Sequence, residues 1–421
     1  MSNSNATPAP LDTMKTITTD LERILSIVML VPMDDPRDPD CRWGVPTLLW
    51  GPPGIGKSGR IENVGAMTGI GCGTVYLSTH QPEDISGVFM PDGKGGAITV
   101  CPLPQVNHLV AQKRGILFLD ELSNARPVMQ GAGLSVVRER FWAGHRLPGG
   151  IRIIAAANPV DVSAGGFNLQ PPMANRFLHF IAGVPSIEDW TSWLLSGTQG
   201  VVHPIAQGEA RIAEKWALVW SKIRGLGVGF MKHKRTSGDG KTSILYSLPA
   251  VGHVDRGRAW PSPRSWEMAL RCLAAAEILD EPEIGIELLS AAIGSGFAAE
   301  WATWVASANL PDPEQMLLHG WTPDKRRLDI AMAGYSSAIS YALDKKDKNE
   351  QRKYAILAWK LLQEPCLHGG LADVALAPAA ALMRAGYSYQ AGGEVAEVSK
   401  DIIYKFGSSG LASYVRKGEL R

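Results

Sequence analysis

The stretch Gly51-Pro52-Pro53-Gly54-Ile55-Gly56-Lys57-Ser58 reads G-x-x-x-x-G-K-S, the spacing of a phosphate-binding loop. Before it, Thr47-Leu48-Leu49-Trp50 is the short apolar run that a buried parallel strand requires, with Pro46 at its start, where a missing ladder donor matters least. After it, Gly59 to Met67 can enter a helix. The chemistry explains the spacing. Glycines let the backbone wrap closely around an anion, and successive N–H groups at a helix start point at phosphates. Lys57 can reach the outer phosphates and Ser58 can offer its hydroxyl to Mg²⁺. The plainer alternative is a glycine-rich turn that only joins strand to helix.

Four further apolar runs follow at α/β spacing: Thr74–Leu77, Ile116–Leu119, Ile151–Ala156 and Phe177–Ile181. Five short buried strands with crossovers predict a parallel, three-layer α/β sheet, with ligands at the carboxyl ends of its strands. Gly51–Ser58, Asp120–Glu121 and Asn158 all fall at such ends. In Gly115-Ile116-Leu117-Phe118-Leu119-Asp120-Glu121 an apolar strand delivers two carboxylates beside the phosphate loop. Asp120 is expected to orient the Mg²⁺ shell and Glu121 to polarise the attacking water. A helix cap with a first-turn acid is the structural alternative. Asn158 can hydrogen-bond the attacking water or the terminal phosphate, although Asn-Pro also favours a turn.

The whole chain sets the frame. At 421 residues it is too long for one ordinary core, so two or three domains are expected. With 45% hydrophobic and 20% charged residues it is ordinary globular material, and a net charge of +1 argues against a protein that works by neutralising nucleic-acid phosphates. Cys41, Cys72, Cys101, Cys272 and Cys366 show no C-x-x-C spacing and read as reduced thiols. The histidines form no metal-ligand pattern, the first ten residues resemble no secretory signal, and Ile24–Val31 is too short to span a bilayer. A cytoplasmic location is therefore expected.

In chain order, residues 1–15 read as a disordered tail, Thr16–Met33 as a helix and Asp34–Arg42 as a loop. Asp92-Gly93 and Gly95-Gly96 separate Val88–Met90 from Ala97–Val100, which predicts a hairpin. Between about 196 and 260 an insertion is expected, with a tryptophan-bearing helix over Ala210–Ile223 and a basic, glycine-rich loop over Lys232–Lys241. That loop suits a solvated surface better than a nucleic-acid contact. From Ser265 the chain reads as successive helices: Trp266–Leu279, Pro282–Ala306, Leu328–Leu343, Arg352–Glu364, Leu371–Ala385 and Val395–Phe406. Trp301, Trp304, Trp321 and Trp359 are expected to fill their core.

The motifs together resemble a family. GPPGIGKS at 51–58, QPEDISG at 81–87, ILFLDEL at 116–122, LSVVRER at 134–140, AAANP at 155–159, MANRF at 173–177 and PSPRSW at 261–266 occur in the order of MoxR-type AAA+ ATPases of the helix-2-insert group. The resemblance covers residues 44 to about 270, a little over half of the chain. It implies an AAA+ core over 16–185 with a helix-2 insert at about 86–104. An α-helical lid over 186–345 and an α-helical C-terminal extension over 346–421 complete the expected division. It also implies Mg²⁺ and ATP as ligands, with Gly51, Pro52, Pro53, Gly54, Ile55, Gly56, Lys57, Ser58 and Asp120 around the nucleotide and Ser58 and Asp120 on the metal.

By the same resemblance Asn158 takes the sensor-1 role and Arg264 the sensor-2 role. Arg176 takes that of an arginine finger presented to a neighbouring subunit, with Arg138 and Arg140 as second choices. Phe89 and Met90 in the insert would grip a partner or pack on their own domain. The implied assembly is a homo-oligomeric ring, a hexamer in the family. Its work would be the remodelling, maturation or activation of a protein complex that includes a separate chain with a von Willebrand factor A domain. A ring motor on nucleic acid and a nucleotide-gated scaffold are the rival readings.

Overall fold

The structure, a computed structural model, describes residues 16–17, 21–91, 98–159, 166–196, 202–237, 244–368 and 371–407. The strands are β1 (Thr16–Ile17), β2 (Thr47–Trp50), β3 (Cys72–Tyr76), β4 (Val88–Pro91), β5 (Ile98–Cys101), β6 (Arg114–Asp120), β7 (Phe141–Trp142), β8 (His145–Arg146), β9 (Gly150–Ala157) and β10 (Leu178–Ala182). The helices before the C-terminal half are α1 (Leu21–Met29), α2 (Lys57–Thr68), α3 (Pro82–Ser86), α4 (Pro104–Gln112), α5 (Pro127–Glu139), α6 (Pro171–Ala174), α7 (Ile187–Ser196) and α8 (Ile205–Ser237). They are followed by α9 (Pro263–Ile278), α10 (Pro282–Ile293), α11 (Ser295–Val305), α12 (Pro313–His319), α13 (Leu328–Leu343), α14 (Lys348–Gln363), α15 (Ala372–Arg384) and α16 (Gly393–Gly407).

Among the described residues, a sheet runs in the order β1-β10-β2-β9-β6-β3, and every neighbouring pair is parallel. Parallel strands covered on both faces must be apolar throughout. Accordingly Leu48, Leu49, Ile116–Leu119, Ile151 and Ile153–Ala157 have lost nearly all contact with solvent. The α/β core expected from the sequence, followed by helices, is what the fold contains. Register places Trp50 opposite Ala157 and Tyr76 opposite Asp120, so the chain leaves β2, β6 and β9 along one carboxyl edge.

Two compact units emerge: residues up to 214 with 245–298, and 215–244 with 299–421. The first holds the sheet, and also α9 and α10, the first helices of the expected lid; α10 packs on β10. In the second, α13, α14 and α15 share one core through Tyr335, Ile339, Trp359, Leu362, Ala375 and Leu382. The boundary expected at 345/346 therefore falls inside a unit, because the helices on either side of it bury their apolar faces on each other. Trp301, Trp304 and Trp359 are buried there and Trp321 half-buried, the core role expected of them. Phe230 meets Trp301 edge to face at 5.2 Å, and Trp304 Nε1 donates to Asp329 at 2.8 Å.

Several local expectations change. The helix expected over 16–33 is a two-residue edge strand and the shorter α1, which ends where Leu30 and Val31 turn into the bridge between Pro32 and Trp43. The helix expected over 282–306 is broken at Gly294, whose φ of 90° no helix accommodates. The basic stretch expected to be a loop is helical as far as Ser237, since α8 is 33 residues long; residues 238–241 lie outside the described residues. The 88–101 hairpin forms, with β4 antiparallel to β5. Its turn and the side chains of Phe89 and Met90 lie outside the described residues.

Candidate functional site

The phosphate loop folds as its glycines allow. Gly54 and Gly56 both take φ of 84°, in the left-handed region, and a Cβ on either would meet nothing within 4 Å; conformation, not space, demands glycine there. Gly51 is different: a Cβ would come within 2.8 Å of the Ala182 carbonyl oxygen and 2.7 Å of Ile55 Cδ1. The loop is thus pinned at its base and opens α2 at its far end, where N–H groups lack intrahelical partners.

Lys57 curls back over this loop. Its ammonium donates to the carbonyls of Gly51 at 2.7 Å and Pro52 at 2.9 Å, and to Asn158 Oδ1 at 2.8 Å. Burial pushes the Lys57 pKa below its ordinary value, against the pull of the Asp120 carboxylate, which makes the ammonium receptive to an anion. Ser58 Oγ donates to Asp120 Oδ2 at 2.7 Å, and Asp120 is itself buried. A hydroxyl and a carboxylate side by side at the mouth of a phosphate loop are the hard oxygen donors that Mg²⁺ takes, together with waters and phosphate oxygens. The residues fit a Mg–nucleotide. Among the described residues, no cluster of three His, Cys, Asp or Glu side chains would hold a metal by itself.

Glu121 follows in a left-handed conformation, φ 56° and ψ 37°, unusual for a glutamate and costing of order 1–3 kcal/mol. Its amide donates to Asp120 Oδ1 at 2.8 Å and its carboxylate accepts from Ser78 Oγ at 2.6 Å. Asn158, one residue beyond β9, is held by its amide, which donates to Ser123 Oγ at 3.0 Å. Two hydrogen-bonded pairs therefore lie at this edge, Lys57 with Asn158 and Ser58 with Asp120; the Asp120 charge acts on Lys57, and Glu121 is attached through Asp120. Ser78 and Ser123 belong to no motif; the sequence gives no signal that a strand-end hydroxyl and a buried serine would hold the carboxylate and the asparagine.

The arginines divide. Arg176 is only 9% exposed; its guanidinium donates to the Pro172 carbonyl and its Nε–H has no partner. Burial, with the neighbouring charges of Arg264 and Arg138, lowers its pKa to about 10, so it stays cationic at neutral pH. Arg264, in the first turn of α9, and Arg138 are exposed. Arg140 is buried and donates to the carbonyls of Pro148 and Ile151, closing the turn after α5. It is a structural residue of that turn, which displaces its candidacy as a subunit contact. Asn175, missed in the sequence, ties the turn before Arg176 to the start of α9: Nδ2 donates to the Trp260 carbonyl at 3.2 Å, and Ser262 Oγ donates to Oδ1 at 2.7 Å.

Residues 46–177 match the family model described as AAA domain (dynein-related subfamily). Over that span, which holds the site, the chain is similar to an AAA domain. Its matched span starts at the residue before β2 and ends with Asn175-Arg176-Phe177, so it takes in the phosphate loop, both carboxylates, Asn158 and Arg176. A solved structure from Cytophaga hutchinsonii, described provisionally as an ATPase, is similar at 15% identity, with 68% of this chain and 87% of that one covered and a TM-score of 0.44. Among curated proteins none matches. No helix among the described residues is long and apolar enough to cross a membrane.

Proposed function

We propose that the AAA domain binds and hydrolyses Mg-ATP. The observation that carries this is the convergence of two hydrogen-bonded pairs, Lys57 with Asn158 and Ser58 with Asp120, at the carboxyl edge of the sheet, with Glu121 bonded to Asp120. In this reading the loop amides and Lys57 bind the phosphates, and Lys57 exchanges its two carbonyl partners for phosphate oxygens. Ser58 and Asp120 would hold Mg²⁺, which when bound would neutralise charge on the phosphates. Glu121 accepts the proton of the attacking water after leaving Ser78, and Asn158 fixes that water or the terminal phosphate. Arg176 and Arg264 supply positive charge for the transferring group.

The order of the seven motifs supports the finer reading of a MoxR-like ring ATPase, hexameric as in the family it resembles. Hydrolysis there would drive remodelling or activation of a partner protein complex, a von Willebrand factor A-domain chain being the partner to try first. The test is phosphate release and binding of a fluorescent ATP analogue by wild type, Lys57→Ala and Glu121→Gln. The reading expects wild type to do both, Lys57→Ala to bind nothing, and Glu121→Gln to bind without turnover. Turnover by Glu121→Gln at the wild-type rate would remove Glu121 from the chemistry.

A further inference from the structure

His179 is a histidine buried to 1% exposure in the middle of a parallel strand, β10. An apolar residue would fill such a place more simply, and its imidazole makes two directed hydrogen bonds. Trp50 Nε1 donates to His179 Nδ1 at 2.9 Å, with the two ring planes only 14° apart. An indole N–H can only donate, so Nδ1 must be the bare nitrogen and Nε2 carries the proton. That proton is donated to the Ala174 carbonyl at 2.8 Å. The tautomer is fixed by its partners, and a second proton would set Nδ1–H against the Trp50 N–H. Burial is the main reason the pKa falls to about 4, which keeps the ring neutral.

The ends of this connection matter more than its middle. Trp50 is the last residue of β2, and Gly51 opens the phosphate loop. Ala174 closes α6, whose Pro172 carbonyl holds the Arg176 guanidinium. Asn175 carries the connection on to Ser262, whose hydroxyl accepts from the Ser265 amide as the N-cap of α9, two residues before Arg264. Trp50, His179, Ala174, Asn175 and Ser262 are all buried.

We infer that His179 is a positioning residue, linking the base of the phosphate loop to the α6 turn and the α9 start, so that an anion in the loop re-poses Arg176 and Arg264. This rests on the nucleotide site proposed above. Because α6 holds both the acceptor for His179 and the acceptor for Arg176, a shift at Ala174 alters the bond at Pro172. A guanidinium with an unpartnered Nε–H has somewhere better to go once a phosphoryl group is near.

The test uses the full chain and Mg-ATP, with two readouts. The first is amide hydrogen exchange at 51–60, 174–178 and 262–268, with and without nucleotide. The second is steady-state hydrolysis by wild type, His179→Leu, His179→Gln and Asn175→Ala. Protection of all three segments in the wild type is expected, with protection at 51–60 alone in His179→Leu. The leucine variant should lose about tenfold in kcat with KM within about twofold, as misplacement of transition-state groups does. Glutamine, which can accept and donate, should recover most of that loss, and Asn175→Ala should resemble the leucine variant. Wild-type protection confined to 51–60, or an unchanged kcat in His179→Leu, would overturn the relay; the first needs no variant to fold. No protection at 51–60 in the wild type would instead sink the nucleotide reading, and the relay with it.

Discussion

At the scale of single residues, the site separates into what motif spacing carries and what only tertiary structure supplies. Lys57, Ser58, Asp120, Glu121 and Asn158 were legible because phosphate and Mg²⁺ chemistry fixes which groups must follow which strand, and short loops keep them in register. Ser78, Ser123, Asn175 and His179 were not, since each acts on a residue at least 35 positions away or through a backbone carbonyl, and no spacing records that. Glu121 should separate binding from chemistry: Glu121→Gln keeps nucleotide affinity within a few-fold and lowers turnover at least about a hundredfold, as loss of a general base does. A titration of binding beside phosphate release checks it. His179 makes a stability prediction of definite sign. Its pKa is about 4 when folded against an ordinary 6.5, so between those values the unfolded chain binds more protons and stability falls as the pH falls. The contribution is complete above pH 6.5 and about 3 kcal/mol is lost by pH 4, with no further loss below. Denaturant midpoints across pH 4–7 should show this slope in the wild type and a shallower one in His179→Gln. Equal slopes would mean that His179 titrates normally in the folded protein.

At the scale of elements, the strands were the readable part, because a parallel strand buried on both faces is written as an apolar run bounded by turn residues. The 33-residue α8 was not. Its segment Arg224-Gly225-Leu226-Gly227-Val228-Gly229 looks like a breaker, and Lys232–Arg235 looks like a solvated loop. The glycines have a packing reason that sequence conceals. A Cβ on Gly229 would lie 2.6 Å from Ala333 Cβ and 2.7 Å from the Asp329 carbonyl, and one on Gly225 would meet the Ala333 carbonyl and, at 2.6 Å, Ser337 Cβ, all on α13. Alanine there must push two helices apart, so Gly225→Ala should lower stability by about 1–3 kcal/mol despite alanine's better helix propensity. Gly131, inside α5 with nothing near its missing Cβ, is the control: Gly131→Ala should be neutral or gain up to about 1 kcal/mol. Chemical denaturation of both variants decides. Arg140→Ala tests the turn after α5 in the same way. Removing the donor for the Pro148 and Ile151 carbonyls should lower stability by about 2–3 kcal/mol; unchanged stability would reopen a surface role for that arginine.

At the scale of the molecule, charge decides what the candidate site needs from outside itself. Arg176, Arg264 and Arg138 are close enough that the latter two lower the Arg176 pKa, with Glu139 acting in the opposite direction. Such a group is poorly balanced alone and better balanced by an anion, either the nucleotide of the same chain or that of a neighbouring copy. The two cases differ in their dependence on concentration. If a neighbour completes the site, specific activity must rise with protein concentration as subunits associate, and ATP bound to Glu121→Gln must hold the associated form together. If the chain completes its own site, activity per molecule is constant under dilution. The buried pose of Arg176, bonded to the Pro172 carbonyl, favours a guanidinium that is released only on nucleotide binding, while Arg264 and Arg138, the latter beside Glu139, are already exposed to a second molecule. We therefore expect ATP-dependent assembly of Glu121→Gln by light scattering, hydrolysis per subunit that rises with concentration, and at least about tenfold lower turnover in Arg264→Ala and Arg176→Ala with nucleotide binding kept. Mixing Arg176→Ala with Glu121→Gln completes the argument. Recovery of activity in the mixture, though neither variant is active alone, requires one subunit's arginine to serve another's nucleotide. A monomer whose turnover is independent of concentration would confine all of these residues to a single chain.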